Sequence, residues 1–203
     1  MFKFRQKYLC ALFAVMMFFV LGTDVCHAGW IDTLFEFDTW LGEKIGGKGP
    51  KVVFSKPRED FKLLTVEELT KRADNGNIDA QFELGMMYLQ NVIGSELPNN
   101  ERMQKGIEWM KRAVDEGDSE AAAVLGILTI NVVELRKDRN TYKYFYLAYL
   151  LDRNEYTKYN VDIWEEPTLW GFGSTPIPEE ERKEGRAEAE KMFEEIRKKK
   201  GIK

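Results

Sequence analysis

After His27 the sequence has no cysteine and no histidine: Cys10, Cys26 and His27 are its whole supply of both. If the leading segment is removed, the remaining chain has no disulfide, no thiolate and no imidazole. Zinc sites built on Cys or His are then excluded, as are a Ser-His-Asp triad and a Cys-His pair. The serines that remain are Ser55, Ser95, Ser119 and Ser174; none has lysine three positions on and none sits in Gly-x-Ser-x-Gly. The other serine nucleophile motifs are therefore missing as well. Strand-like alternation of useful length is also lacking, so the expected class is all-α. No catalytic residue, cofactor or metal is expected.

The leading segment, Met1 to Ala28, carries a different signal. Lys3, Arg5 and Lys7 precede an unbroken apolar run from Tyr8 to Leu21, and Cys26-His27-Ala28 supplies small residues at a cleavage position. This is the layout of a secretory signal peptide. The run falls short of the roughly 20 apolar residues that cross a bilayer, so an uncleaved anchor is the alternative. Cleavage after Ala28 removes Lys3, Arg5 and Lys7 but only one acid, Asp24, so the mature chain is more acidic than the formal net charge of −4 of the whole sequence. So acidic a chain is a poor match for a phosphate backbone, and no nucleic acid is expected as partner. The expected location is outside the cytoplasm: the periplasm of a Gram-negative cell, otherwise secreted.

Four segments follow. Residues 1–28 are the signal peptide. Residues 29–64 hold an amphipathic helix, with Trp30, Leu34, Phe37, Leu41 and Ile45 on one face, and a linker broken by Gly46-Gly47-Lys48-Gly49-Pro50. Residues 65–155 hold helical repeats. Residues 156–203 hold an aromatic-rich irregular stretch and a C-terminal capping helix. Within the repeats, Thr65 to Glu68 is a capping box that opens a helix ending near Asn75-Gly76. Further helices are expected at about 79–90, 101–116, 119–135 and 142–152, the last capped by Asn140-Thr141. Pro178 opens a final helix at about 179–199, whose acidic start and Lys-rich end suit the helix dipole.

The chain matches itself at a shift of 41: Gly76 falls on Gly117, Asp79 on Glu120, Ala80 on Ala121, Leu84 on Leu125 and Gly85 on Gly126. Self-similarity at this period signals stacked supersecondary units that share a core. The pattern Ala80-x-x-x-Leu84-Gly85-x-x-Tyr88, then Lys105-Gly106-x-x-Trp109-x-x-x-Ala113-x-x-x-Gly117, resembles the Sel-one-like repeat, a longer relative of the tetratricopeptide helix-turn-helix. Ala121, Leu125 and Gly126 begin a second copy, with Thr129 where the tyrosine would stand. Lys143 to Ala148 resembles its second helix, and Thr65 to Gly76 resembles the second helix of an incomplete first repeat. The resemblance covers roughly Thr65 to Asp152. It implies an α-solenoid of antiparallel helix pairs, about two repeats long, with flanking helices as caps. It also implies protein or peptide binding on a concave face formed by the first helices, which points to Gln81, Met87 and Gln90, with Leu128 and Asn131 one repeat on.

Two other features bear on function. Six of the eight tyrosines lie between Tyr142 and Tyr159, followed by Trp164 and Trp170. Tyr146, Tyr149, Trp164 and Trp170 are the contact candidates there, because Tyr and Trp give large contact area at low entropy cost; the alternative is that they seat the last helix. Gly42-x-x-x-x-Gly47-Lys48 has phosphate-loop spacing, but a helix precedes it and Gly49 follows the lysine, so no nucleotide is expected. Glu165-Glu166 reads as a solvated loop, and Glu179 to Glu181 as a helix start. The expected function is an exported adaptor that binds a protein. The alternatives are an immunity-type inhibitor of an exported toxin and a glycan-binding or carboxylate-based glycan-acting protein.

Overall fold

A computed structural model describes residues 58–61, 63–131, 138–165 and 177–202. Among them are seven helices and no strand: α1 (Val66–Asp74), α2 (Ile78–Leu89), α3 (Asn99–Asp115), α4 (Ser119–Asn131), α5 (Asp138–Leu151), α6 (Glu155–Glu165) and α7 (Glu179–Lys200). The class is all-α. The expected Trp30 helix, the signal peptide, the Gly42–Lys48 loop and the far end of the helix expected to reach residue 135 lie outside the described residues.

Local hydrogen bonding sets the boundaries. At α1 the Thr65 hydroxyl accepts from the Glu68 amide at 3.2 Å and the Glu68 carboxylate accepts from the Thr65 amide at 2.9 Å. Leu64, before the cap, and Leu69 join the same apolar cluster, which makes the matching hydrophobic staple. Glu68 is held below the usual carboxylate range by these bonds to Thr65. Glycine ends α1 and α3 in the same way. Gly76 and Gly117 have φ of +87° and +84°. Their amides donate to Ala73 and Val114, and the amides of Asn77 and Asp118 donate to Arg72 and Ala113. This paired bonding satisfies carbonyls that a helix end leaves free. The next helix then starts on a side chain: Asn77 Oδ1 accepts from the Ala80 amide at 2.8 Å, and Asp118 Oδ1 from the Ala121 amide at 2.9 Å. Every partner in one corner maps onto its counterpart in the other at the same shift that aligns the sequence with itself.

The two corner glycines give a test. Alanine at φ near +85° is strained by roughly 1–2 kcal/mol. A Cβ on Gly76 meets nothing within 4 Å, whereas one on Gly117 lies 3.1 Å from Ile196 Cγ2. Gly76→Ala is expected to cost about 1 kcal/mol in chemical denaturation, and Gly117→Ala distinctly more. Equal or zero costs would contradict the corner geometry.

Successive helices pack antiparallel around close glycine contacts. A Cβ on Gly85 of α2 would lie 3.0 Å from Met110 Cγ of α3, and one on Gly106 of α3 would lie 2.8 Å from Leu89 Cγ of α2. In the next pair, Gly126 of α4 lies against the Phe145 ring of α5. Ser119 to Ile127 are all buried, as expected of a helix apolar on every side. Thr129 fills the place of the absent tyrosine with a buried hydroxyl pair: Thr129 Oγ1 lies 2.8 Å from Thr141 Oγ1 and donates to the Gly126 carbonyl at 2.6 Å. Thr141 therefore faces inward from within α5. The expectation that Asn140-Thr141 caps that helix is corrected, since α5 begins at Asp138.

The stretch expected to be irregular is corrected over its first part, Tyr156 to Glu165; the rest of it lies outside the described residues. Residues Glu155–Glu165 form α6. Asn154 Oδ1 accepts from the amides of Tyr156 and Thr157, both at 2.9 Å, and so opens the helix. Thr157, Asn160, Val161, Ile163 and Trp164 are its buried residues. α7 then runs alongside α5 in the same direction. Arg139 pairs with Glu184 at 3.0 Å and Glu188 at 3.2 Å, and Lys143 with Glu188 at 3.3 Å. At its far end Lys199 pairs with Glu116, beside the second corner. The main core joins α2, α3, α4, α5 and α7 through residues such as Met110, Val124, Leu147, Ala189 and Ile196.

Candidate functional site

Two constellations bring chemistry-bearing side chains together. The first lies on α5, α6 and α7. Tyr142, Tyr146 and Tyr149 follow a spacing of four and three, so they share one side of α5. The rings of Tyr142 and Tyr146 stack at 5.8 Å, and Tyr149 tilts against Tyr146 at 6.2 Å. Arg186 of α7 lies over Tyr146 at 4.9 Å and Arg153 over Tyr149 at 5.9 Å. Arginine on an aromatic face is an attractive pairing, because the ring quadrupole is negative there. Beneath this row the fully buried Tyr142 donates its hydroxyl proton to Glu165 Oε1 at 2.5 Å, and Arg186 donates to the same carboxylate oxygen at 2.6 Å. Burial first, and then the bond to Glu165, push the Tyr142 hydroxyl far above the ordinary phenol range. It stays protonated and works as a donor. Burial likewise raises Tyr146 and Tyr159. Arg182, one turn before Arg186 on α7, donates to the carbonyls of Trp164 and Glu165 at 3.2 Å and so caps the end of α6.

The second constellation lies at the two corners. The Arg58 guanidinium reaches Asp79 at 3.2 Å, Asp118 at 2.9 Å and Glu120 at 2.7 Å. Its central carbon lies 3.5 Å from the Phe82 ring centroid. Burial alone would lower its basicity; the hydrogen bonds and charges of Asp118 and Glu120 outweigh that and raise it. All three carboxylates stand at the start of α2 or α4, where the helix dipole favours negative charge. Glu59 continues the attachment: its amide donates to Asp79 at 3.2 Å, and its carboxylate takes Arg72 and, at 3.2 Å, Asn77 Nδ2. Phe61 is buried among Leu69, Ala73, Ala80 and Leu84.

The predicted site residues fall unevenly on this map. Tyr146 and Tyr149 are half-buried members of the aromatic row. Trp164 is only 6 % exposed and stacks on Phe145 at 6.1 Å, so it serves the core and not a contact surface. Gln81 is 3 % exposed, and its Nε2 donates to the Ala73 carbonyl at 3.0 Å. Its role as a contact residue is corrected: the amide serves a helix-end carbonyl of α1. Met87 and Leu128 are half-buried against core clusters, and Gln90 is the residue that ends α2. The Asn131 side chain and Trp170 lie outside the described residues. Glu165, expected in a solvated loop, instead ends α6 and holds Tyr142 and Arg186. Glu179 to Glu181 do form a helix start.

The repeat residues have packing roles. Ala80, Ala113 and Ala121 are fully buried, with Leu84 at 1 % and Leu125 at 2 % exposure. Trp109 carries the Arg112 guanidinium at 4.1 Å, and Arg112 in turn pairs with Asp74 at 2.9 Å, joining α1 to α3. Tyr88 lies under the α2–α3 loop, where a Cβ on Gly94 would come 2.9 Å from its ring. Sequence reasoning missed Arg58, Arg153 and Arg186. The one signal for Arg58 was acidic residues at 79 and 120, equivalent positions that ask for a shared cation. Among the described residues no group of His, Cys, Asp and Glu is arranged to hold a metal, and no helix is long and apolar enough to cross a membrane. Comparison with protein-family models, curated proteins and solved structures gave no match.

Proposed function

We propose that the chain is a short α-solenoid of the Sel-one-like type, exported from the cytoplasm, that acts as an adaptor by binding a protein partner. The observation that carries this reading is the recurrence of one corner, bond for bond, one sequence period further along the chain. A chain that stacks helix pairs on such corners makes a rigid surface, and rigid helical surfaces suit recognition. The contact surface we assign is the Tyr146–Tyr149 row with Arg153 and Arg186. Tyr and Arg are the side chains that dominate binding energy at protein interfaces. The Glu165 carboxylate and the buried Tyr142 hydroxyl fix Arg186 in place, which lowers the ordering cost of binding.

The test is capture with chemical crosslinking from the native cell envelope, using the full chain and a Tyr146→Ala/Tyr149→Ala variant. The wild type is expected to retain a protein that the variant loses at least ten-fold, with the helical circular-dichroism signal unchanged. Capture of polysaccharide without protein would overturn the reading, and so would a partner held equally by both chains.

A further inference from the structure

Residues 58–61 are attached to the helices in an unusual manner. They belong to no helix, yet side chains from α1, α2 and α4 hold them as they would hold a bound peptide. Arg58 enters a clamp of Asp79, Asp118 and Glu120 with its guanidinium on the face of Phe82. Its side chain keeps 15 % exposure, whereas Asp118 keeps 3 % and Glu120 6 %. Glu59 meets the opposite charge of Arg72 and the amide of Asn77. Phe61 occupies an apolar pocket between α1 and α2, with Arg72 at 5.8 Å from its ring. Three recognition elements thus follow in order: a trap for a cation, a basic contact for an acid, and a pocket for an aromatic ring.

We propose that this corner groove is a peptide-recognition site, and that Arg58–Phe61 is a built-in occupant displaced by a partner segment that resembles it, with an arginine, an acid directly after it and an aromatic ring three positions after the arginine. The occupant is argued from charge complementarity. The clamp presents three carboxylates to one guanidinium, so it discriminates strongly for an arginine, whose planar fork bonds several acceptors at once. The carboxylates of the groove also have places in the helices themselves. Asp118 caps α4 through the Ala121 amide, and Asp79 and Glu120 stand at helix starts, where the dipole favours negative charge. The proposal rests on the reading of the chain as a protein-binding module and names the partner's chemistry.

The experiment uses a fluorescent peptide of residues 55–64, Ser-Lys-Pro-Arg-Glu-Asp-Phe-Lys-Leu-Leu. It is titrated by polarisation into the wild-type chain and into Arg58→Ala/Phe61→Ala. A tethered strap competes at a local concentration of about 1 mM, so a peptide of about 100 μM affinity binds the vacated groove roughly ten-fold better than the wild type. A peptide with glutamate in place of its arginine is expected not to bind, and Glu120→Gln in the double variant is expected to weaken binding. The single variant Arg58→Ala, which leaves Phe61 in place, serves where the double variant loses its helical signal. Absence of saturable binding overturns the proposal. Loss of helical signal in both variants also overturns it, because the strap is then part of the core. A wild-type dimer, abolished by Arg58→Ala in sedimentation, puts a second copy's strap in the groove and overturns the partner assignment. Failure here with continued capture at the Tyr146–Tyr149 surface removes this proposal alone.

Discussion

Phe145→Ala is expected to cost about 4 kcal/mol, within the range for a large buried aromatic. Phe145 is fully buried, stacks on Trp164, and lies against the open side of Gly126. Its removal empties the junction between α4, α5 and α6. The coupled variant is more informative. A Cβ built on Gly126 meets three ring atoms of Phe145 at 3.0 Å. Gly126→Ala alone therefore overpacks the seam, at about 1–3 kcal/mol, offset in part by alanine's better helix propensity. In the Phe145→Ala background the added methyl enters the vacated space. The double variant is expected to be more stable than the sum of the singles by at least about 1 kcal/mol. Denaturant midpoints for the four proteins measure this. Strict additivity would contradict the contact.

Gly185→Val is expected to lower stability by about 3 kcal/mol and to loosen α7 from α5. A Cβ at Gly185 lies 2.7 Å from the Arg139 carbonyl oxygen and 3.2 Å from the Lys143 amide nitrogen. Both are backbone atoms, so no rotamer change relieves the clash, and the helices must separate. Separation uncovers Ala189 and Ile196. It also moves Arg186 away from Glu165 and Tyr142, so partner capture should fall with stability. Chemical denaturation with hydrogen exchange over 179–200 reads both effects. A gain in stability, as expected for replacing glycine in an open helix, would show that α7 does not lie on α5 at this point.

Features governed by near neighbours could be read from the sequence. The Thr65–Glu68 capping box, the Gly76 and Gly117 corners and the acid-to-base polarity of α7 each depend on groups a few positions apart, and each stands where it was expected. No charge interrupts α4 from Ala121 to Ile130, and Ala121 to Ile127 are all buried. The misses have physical causes. In α6, Tyr156, Thr157, Tyr159, Val161 and Ile163 have weak helix propensity, and the buried stripe includes the polar Thr157 and Asn160, which blurs its period. Thr141 looked like a cap because threonine caps helices; its real partner, Thr129, lies on another helix. Gln81 looked available for contact, but a helix-end carbonyl at Ala73 claims its amide.

The candidate site was legible only in part. The clustering of tyrosines pointed to α5, yet only the fold separates Tyr142, a buried donor, from Tyr146 and Tyr149, which edge the surface. Arg186 is 44 residues from Tyr142, and Arg58 is 62 residues from Glu120. No local pattern reports contacts of that range, so the arginines that organise both constellations were invisible until the helices were placed.

Site-specific photocrosslinking at position 149, in cells that make the full chain, tests the adaptor reading most directly. A crosslinker there is expected to give one dominant protein adduct, which a control crosslinker at Glu108, exposed on α3, does not give. An adduct with glycan, or the same faint background from both positions, would contradict a protein partner held on the tyrosine row.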